Sequence, residues 1–273
     1  MRNKLAAGIA AGVIAAVGIA APAQAISEST ADLYVLHAVP GLTVDVWVDG
    51  AVLLEDFEPG TLTDALDLPA GDYEVVITAA GDPITSPAIG PATLPLVAGS
   101  SYTAVAHLAE DGTPTATLFT NDLSTIPAGQ GKLTVRHTAA APAVDILANG
   151  APAFTNLANP GEVKADLPIG TIDAAVAATG TTEPVIGPAP VTIQEGVNTI
   201  VYAWGSLEDD NLDLAVQTIS GLHSTPDGVP SGSAGLAADA SPAQVAWTFA
   251  GALGALGLLA FALIRMRAAK LTK

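Results

Sequence analysis

The sequence predicts an all-β protein: two tandem antiparallel immunoglobulin-like β-sandwich domains, with an N-terminal signal peptide before them and one C-terminal transmembrane helix after them. Three observations lead there. The chain repeats itself at a spacing of about 100 residues. Short apolar strands alternate with turn dipeptides about every ten residues, without a convincing amphipathic helix. Both ends carry long apolar segments flanked by basic residues.

At the N-terminus, Arg2 and Lys4 precede an apolar stretch over 5–21, which runs into Pro22 and Ala23-Gln24-Ala25. A charged start, an apolar middle and a small-residue A-x-A site are the parts of a cleavable signal peptide. Residues 1–25 are therefore expected to be removed, leaving a short segment over 26–31 ahead of the first domain.

The repeat is read directly from the residues. His37, Val44, Asp45 and Gly50 recur as His137, Val144, Asp145 and Gly150, each displaced by 100 positions. Asp67-Leu68-Pro69-Ala70-Gly71 recurs as Asp166-Leu167-Pro168-Ile169-Gly170, and Ile89-Gly90-Pro91-Ala92 recurs as Ile186-Gly187-Pro188-Ala189. The offset shortens along the way, as expected where surface loops lose residues and strands do not. The expected domains are 32–126 and 127–223.

Within each copy, Val44, Val46 and Val48 alternate with Asp45, Trp47 and Asp49, and Val144, Ile146 and Ala148 alternate with Asp145, Leu147 and Asn149. That is the period of a half-buried strand. Asp49-Gly50 and Asn149-Gly150 follow at once, and such dipeptides accept the positive φ angles of a type I′ hairpin turn. Leu68-Pro69-Ala70-Gly71 and its partner read as type I turns. Further strands are expected over 73–78, 102–108, 115–119, 172–177, 198–204 and 212–219. A small closed barrel is the alternative arrangement for such strands.

From 224 to 244 the chain turns to Ser, Gly, Pro, Ala and Asp, which reads as a flexible stalk spanning on the order of 25 Å. Residues 245–264 form an unbroken apolar run, long enough to cross a bilayer as a helix. Arg265, Arg267, Lys270 and Lys273 follow, so the tail 265–273 is expected on the cytoplasmic side and the domains outside. No LPxTG-like pentapeptide precedes the span, which favours direct membrane retention over sortase attachment.

Net charge is −18, and it is unevenly placed: residues 26–264 hold three basic residues and all 27 acidic ones. Such a surface repels nucleic acid and anionic headgroups, so nucleic-acid partners are excluded. The chain has no cysteine, which removes disulfides, thiolate catalysis and Cys-ligated metals together.

The repeated blocks, His-x7-Asp with a hairpin Gly five residues beyond, then Leu-Pro-x-Gly and later a Gly before an apolar strand (Gly99, Gly196), resemble a bacterial family catalogued as domain of unknown function 4397. The resemblance covers both copies, most of 32–220. It implies a secreted or surface β-domain and carries over no catalytic residue. The loop after the histidine differs between copies, Val39-Pro40-Gly41 in one and Ala139-Ala140-Ala141-Pro142 in the other.

Few residues mark chemistry. His37 and Asp45, retained as His137 and Asp145, form a possible ligand or acid–base pair, but a strand-end His and a hairpin Asp more commonly satisfy backbone groups. His37, Asp45, Gly50, His137, Asp145 and Gly150 are accordingly expected to be structural. Trp47 shares a face with Asp45 and Asp49, the composition of a sugar-binding platform, unless a loop or neighbouring domain covers it. The acidic run over 208–213 lacks the Gly and the terminal Glu of a calcium-binding EF-hand loop and reads as a solvated hairpin.

No nucleophile elbow, zinc-protease helix, phosphate loop or dinucleotide fingerprint is present, so no cofactor is expected. The sequence thus points to a membrane-anchored extracellular protein of the bacterial cell envelope, non-enzymatic, with a structural, adhesive or ligand-binding role. Its expected partners are the membrane, through the C-terminal helix, and a cell-envelope glycan or protein. The alternative is a glycan-binding or glycan-hydrolysing protein that uses surface carboxylates and Trp47.

Overall fold

Alternating side chains and tight turns shape residues 29–224, the part described by the structure, a computed structural model. The signal peptide, the stalk beyond Ser224, the apolar span 245–264 and the basic tail lie outside the described residues. Among the described residues no helix is long and apolar enough to cross a membrane.

The first half holds β1 (Thr30–Ala38), β2 (Val44–Val48), β3 (Ala51–Phe57), β4 (Leu66–Pro69), β5 (Gly71–Ala79), β6 (Pro87–Leu96), β7 (Ser101–Leu108) and β8 (Pro114–Thr120). The second holds β9 (Gln130–His137), β10 (Val144–Ala148), β11 (Ala151–Leu157), β12 (Gly161–Pro168), β13 (Gly170–Ala178), β14 (Pro184–Ile193), β15 (Asn198–Trp204) and β16 (Asp213–Ile219). The strand orders are β4-β1-β7-β8 and β3-β2-β5-β6 in the first half, then β12-β9-β15-β16 and β11-β10-β13-β14 in the second. Each half is thus a pair of four-stranded sheets in the same order.

The all-β sandwich agrees with the sequence, but the immunoglobulin-like order does not. In an immunoglobulin sandwich the first two strands share a sheet. Here β1 and β2 lie in different sheets, and β1 pairs parallel to β7, as β9 does to β15. The two sheets that hold these pairs are therefore mixed, while β3-β2-β5-β6 and β11-β10-β13-β14 are wholly antiparallel. Parallel pairing of distant strands leaves no local mark in a sequence, whereas hairpins do.

The β2–β3 hairpin turns on Asp49 (φ 49°) and Gly50 (φ 80°), and β10–β11 on Asn149 (φ 51°) and Gly150 (φ 79°), the two positive angles a type I′ turn demands. The prolines expected in turns at Leu68-Pro69 and Leu167-Pro168 instead close β4 and β12. Both are edge strands, where a missing N–H does not break a central ladder.

Among the described residues three large apolar cores hold the fold, beside a small cluster of Leu147, Ala175 and Ala177. Leu33, Val44, Val46, Ile77 and Leu96 pack inside the first sandwich, and Leu133, Val144, Ile146, Val176 and Val201 inside the second. The third lies between the halves: Leu36, Ala38 and Val105 from β1 and β7 meet Ile200, Tyr202, Trp204 and Ala215 from β15 and β16. Leu36, Val105, Ile200 and Tyr202 have no exposed surface. Burying an aliphatic side chain is worth about 1.5–3 kcal/mol, so separating the halves would be costly.

Candidate functional site

The repeated polar residues are the natural starting point, and each turns out to be engaged with the chain's own loops. Asp45 projects from β2 on the face away from the core, with Oδ1 accepting the Asp56 N–H and Oδ2 the Gly81 N–H, both at 2.9 Å. Asp145 does the same for Asn156 at 2.8 Å and Gly180 at 2.9 Å. Those two backbone donors hold the Asp145 carboxyl below the usual carboxylate range. Asp56 and Asn156 sit in β3 and β11 with positive φ, where the hairpin ladder slips register. Each aspartate therefore ties a bulged edge strand to the turn after the central strand.

Asp49 is also engaged: its Oδ1 accepts the Glu74 N–H at 2.9 Å, and Asn149 receives the Asp173 N–H at 3.0 Å. Trp47 is half-buried and donates from Nε1 to the Thr78 hydroxyl at 3.0 Å. Its counterpart Leu147 is 1% exposed and packs with Ala175 and Ala177. Two carboxylates of the supposed sugar platform thus already bind backbone.

The histidines do not pair with the aspartates. His37 donates from Nε2 to the Leu42 carbonyl at 2.5 Å and stacks on Phe57, while His137 donates to the Pro142 carbonyl at 3.1 Å. Burial pushes the pKa of both rings down, so both are neutral at pH 7. The acidic run closes on itself, with the Asn211 side chain accepting the Ser206 N–H at 2.7 Å. Among the described residues no group of three or more acidic or imidazole side chains gathers as a metal site.

A different cluster lies at the junction of the halves. Lys132, Arg136 and Lys164 are the three basic residues of 26–264, and all three are there. Arg136, with no exposed surface, donates from Nε to Glu162 at 2.7 Å and from Nη1 to the Tyr202 hydroxyl at 2.6 Å. Its guanidinium lies 4.5 Å from the centre of the Phe119 ring, a cation–π contact across the junction. Burial raises the Tyr202 pKa, and its neutral hydroxyl donates to Gln217 Oε1 at 2.6 Å. The Thr103 hydroxyl from the first half reaches the same oxygen at 3.0 Å.

Beside this network, Asp122 receives Lys164 at 2.8 Å and Lys132 at 3.1 Å. Burial alone would raise its pKa, but hydrogen bonds from Lys164, Ser124 and Lys132 outweigh that and hold it far below the usual range. An open groove of about 570 Å³ follows this seam, lined by residues 118–123, Glu162 and Lys164. The repeat comparison missed the seam because Arg136 and Glu162 are not repeated residues. The scarcity of basic residues was the signal that could have found it.

The family model of a domain of unknown function, DUF4397, matches residues 31–147. Over these residues the chain is similar to that family. Its match runs through β1–β8 and on into β9 and β10. Trp47, which bonds Thr78 of β5, and Asp45, which bonds Asp56 of β3 and Gly81 beyond β5, both lie in the matched segment. No curated protein matches the chain.

Proposed function

We propose that this protein is a non-enzymatic element of the bacterial cell envelope. Its two related domains, 32–126 and 127–223, form one stiff body outside the cell, tethered by the apolar span 245–264 after removal of residues 1–25. The observation that supports this reading is the shared core between the halves, closed by the buried Arg136 network. A pair of domains welded by apolar burial and a desolvated ion pair is suited to a fixed spacer or adhesive stem. The repeated polar residues serve loops, which accords with a structural, adhesive or ligand-binding role and not with catalysis.

Protease added to intact cells tests the address. Fragments of the 29–224 body should be released, with the last lysines protected. Protection of the body together with digestion of the tail would overturn the orientation.

Glycan binding is the second reading, and the junction groove favours it over Trp47. Its size suits a short saccharide, and Glu162 and Lys164 line it with a partly exposed carboxylate and an exposed ammonium, although each already has one ionic partner. Pull-down of envelope glycan by the full chain, lost in Lys164→Ala but kept in Trp47→Ala, is the expected pattern for that reading. The reverse pattern would return the site to Trp47.

A further inference from the structure

Eight strands stand at sheet edges, and an edge offers unpaired N–H and C=O groups to another chain unless something blunts it. Bulges bend β3 and β11, and three prolines interrupt each of β6 and β14. β4 has only four residues, β12 carries Lys164 engaged by Asp122, and β8 begins at Pro114 and is closely approached by β6. β16 has none of these devices. It holds no proline and no lysine, keeps an unbroken register with β15 over seven residues, and lacks such cover, because β14 approaches β9 instead.

The two copies differ accordingly. Leu118 pairs with Ala104 where Val216 pairs with Val201, yet Leu118 packs half-buried on the first core and Val216 is 55% exposed. The backbone at Val216 is open as well. Lys132 donates its N–H to the Val197 carbonyl and Thr138 to that of Ala203, so the odd-numbered residues of β15 turn their backbone groups toward β9 and the even-numbered ones toward β16. Through the register, Asp213, Ala215, Gln217 and Ile219 meet that ladder, and Leu214, Val216 and Thr218 turn their groups outward. Asp213 Oδ1 takes the Leu214 N–H at 2.7 Å. Among the described residues no group bonds the outward N–H of Val216 or Thr218.

We propose that β16 accepts an added antiparallel strand from an extended, cationic peptide segment of a partner, its main chain bonded to Val216 and Thr218 and its alternate apolar side chains beside Val216. In strand addition the main-chain bonds give affinity and the alternate side chains give specificity. Charge decides the class of partner. Glu208, Asp209, Asp210 and Asp213 stand exposed at the start of β16, while Lys132, Arg136 and Lys164 are all held by carboxylates at the seam. Basic residues at the C-terminal end of an antiparallel segment therefore meet these four acids without a competing cation. A second copy of the chain would instead bring another strongly acidic body to the same edge, and like charges oppose that pairing. The site belongs to the 29–224 body and does not depend on how the chain is tethered.

The test is amide hydrogen exchange of the full chain in zwitterionic lipid nanodiscs, titrated with a blocked peptide of alternating threonine and valine that ends in two lysines. Saturable protection of the Val216 and Thr218 amides is expected, with the Val135 and Ile146 amides unchanged. The same peptide ending in two glutamates should bind about tenfold more weakly. Val216→Lys should abolish saturation; Thr218→Pro, which deletes an outward donor but no rung of the β15 ladder, serves if that variant fails to fold. Protection confined to other edges, equal binding of the glutamate peptide, or unchanged saturation in the variants would each overturn the proposal. So would protection of Val216 before peptide is added: rising with protein concentration, it would assign the edge to a second copy, and constant, to residues 225–244.

Discussion

Arg136 Nε lies 2.7 Å from Glu162 Oε2, and the guanidinium that makes this bond has no exposed surface. A buried charge of this kind is held by several partners at once, and removing one side strands the other. Arg136→Ala should therefore lower unfolding free energy by about 3–5 kcal/mol. Arg136→Lys should recover only part of this, since an ammonium cannot reach Glu162 and Tyr202 in the planar geometry of the fork. Urea midpoints of both variants, with Glu162→Gln to complete the cycle, measure it. A loss under 1 kcal/mol in Arg136→Ala would show that the seam is solvated.

The shared core makes a separate prediction about cooperativity. Because Val105 from the first half packs among Ile200, Tyr202 and Trp204 of the second, the wild-type chain should melt in one transition. Val105→Asp places a charge in that interface while leaving both sandwich interiors intact. Two resolved calorimetric transitions are expected for it. A single transition, merely shifted, would mean that the halves communicate by another route.

Asp45 accepts two backbone N–H groups, one from the bulge of β3 and one from the turn after β5, so an amide in its place must turn its NH₂ toward one of them. Asp45→Asn should cost about 1–3 kcal/mol, the penalty of one buried donor left unmet. Amide hydrogen exchange should accelerate at Asp56 or Gly81 before it does at core positions such as Val46. Unchanged protection at both would remove the loop-clamping role.

These residues also show what was legible before the fold was known. Alternation over 44–49 placed Asp45 and Trp47 on one face and the valines on the other, and Asp49-Gly50 marked its own turn, because both signals are local. The partners of Asp45 lie 11 and 36 residues away, and no periodicity announces them. Strands β6 and β14 were hidden by their composition: Pro87, Pro91 and Pro95 argue against a central strand, and only their edge position admits them. The parallel β1–β7 pair joins segments some 70 residues apart, which is why the immunoglobulin-like order was expected in its place. Arg136 gave no motif, yet one of three basic residues in an acidic body has few reasons to be there except a partner.

The histidines set the last expectation, a dependence of stability on pH. His37, His107 and His137 are each at most 1% exposed, and burial lowers all three pKa values despite opposing hydrogen bonds to the carbonyls of Leu42, Leu108 and Pro142. Glu58 near His37 and Glu110 near His137 also oppose the shift, whereas His137 adds to it at His107. In the unfolded chain these rings titrate near 6.5. Below that pH the unfolded state binds more protons than the folded one, so stability falls as pH drops from 6.5 toward the folded values. Each ring contributes a slope of at most about 1.4 kcal/mol per pH unit. Asp122 and Asp145 act in the same direction but only below their unfolded pKa near 3.8, so a window from pH 7.5 to 5.5 isolates the imidazoles. Urea midpoints should decline across that window, and the decline should shrink in His107→Gln. A flat profile would mean that the rings accept protons in place, through water reaching an interior that is closed in this structure.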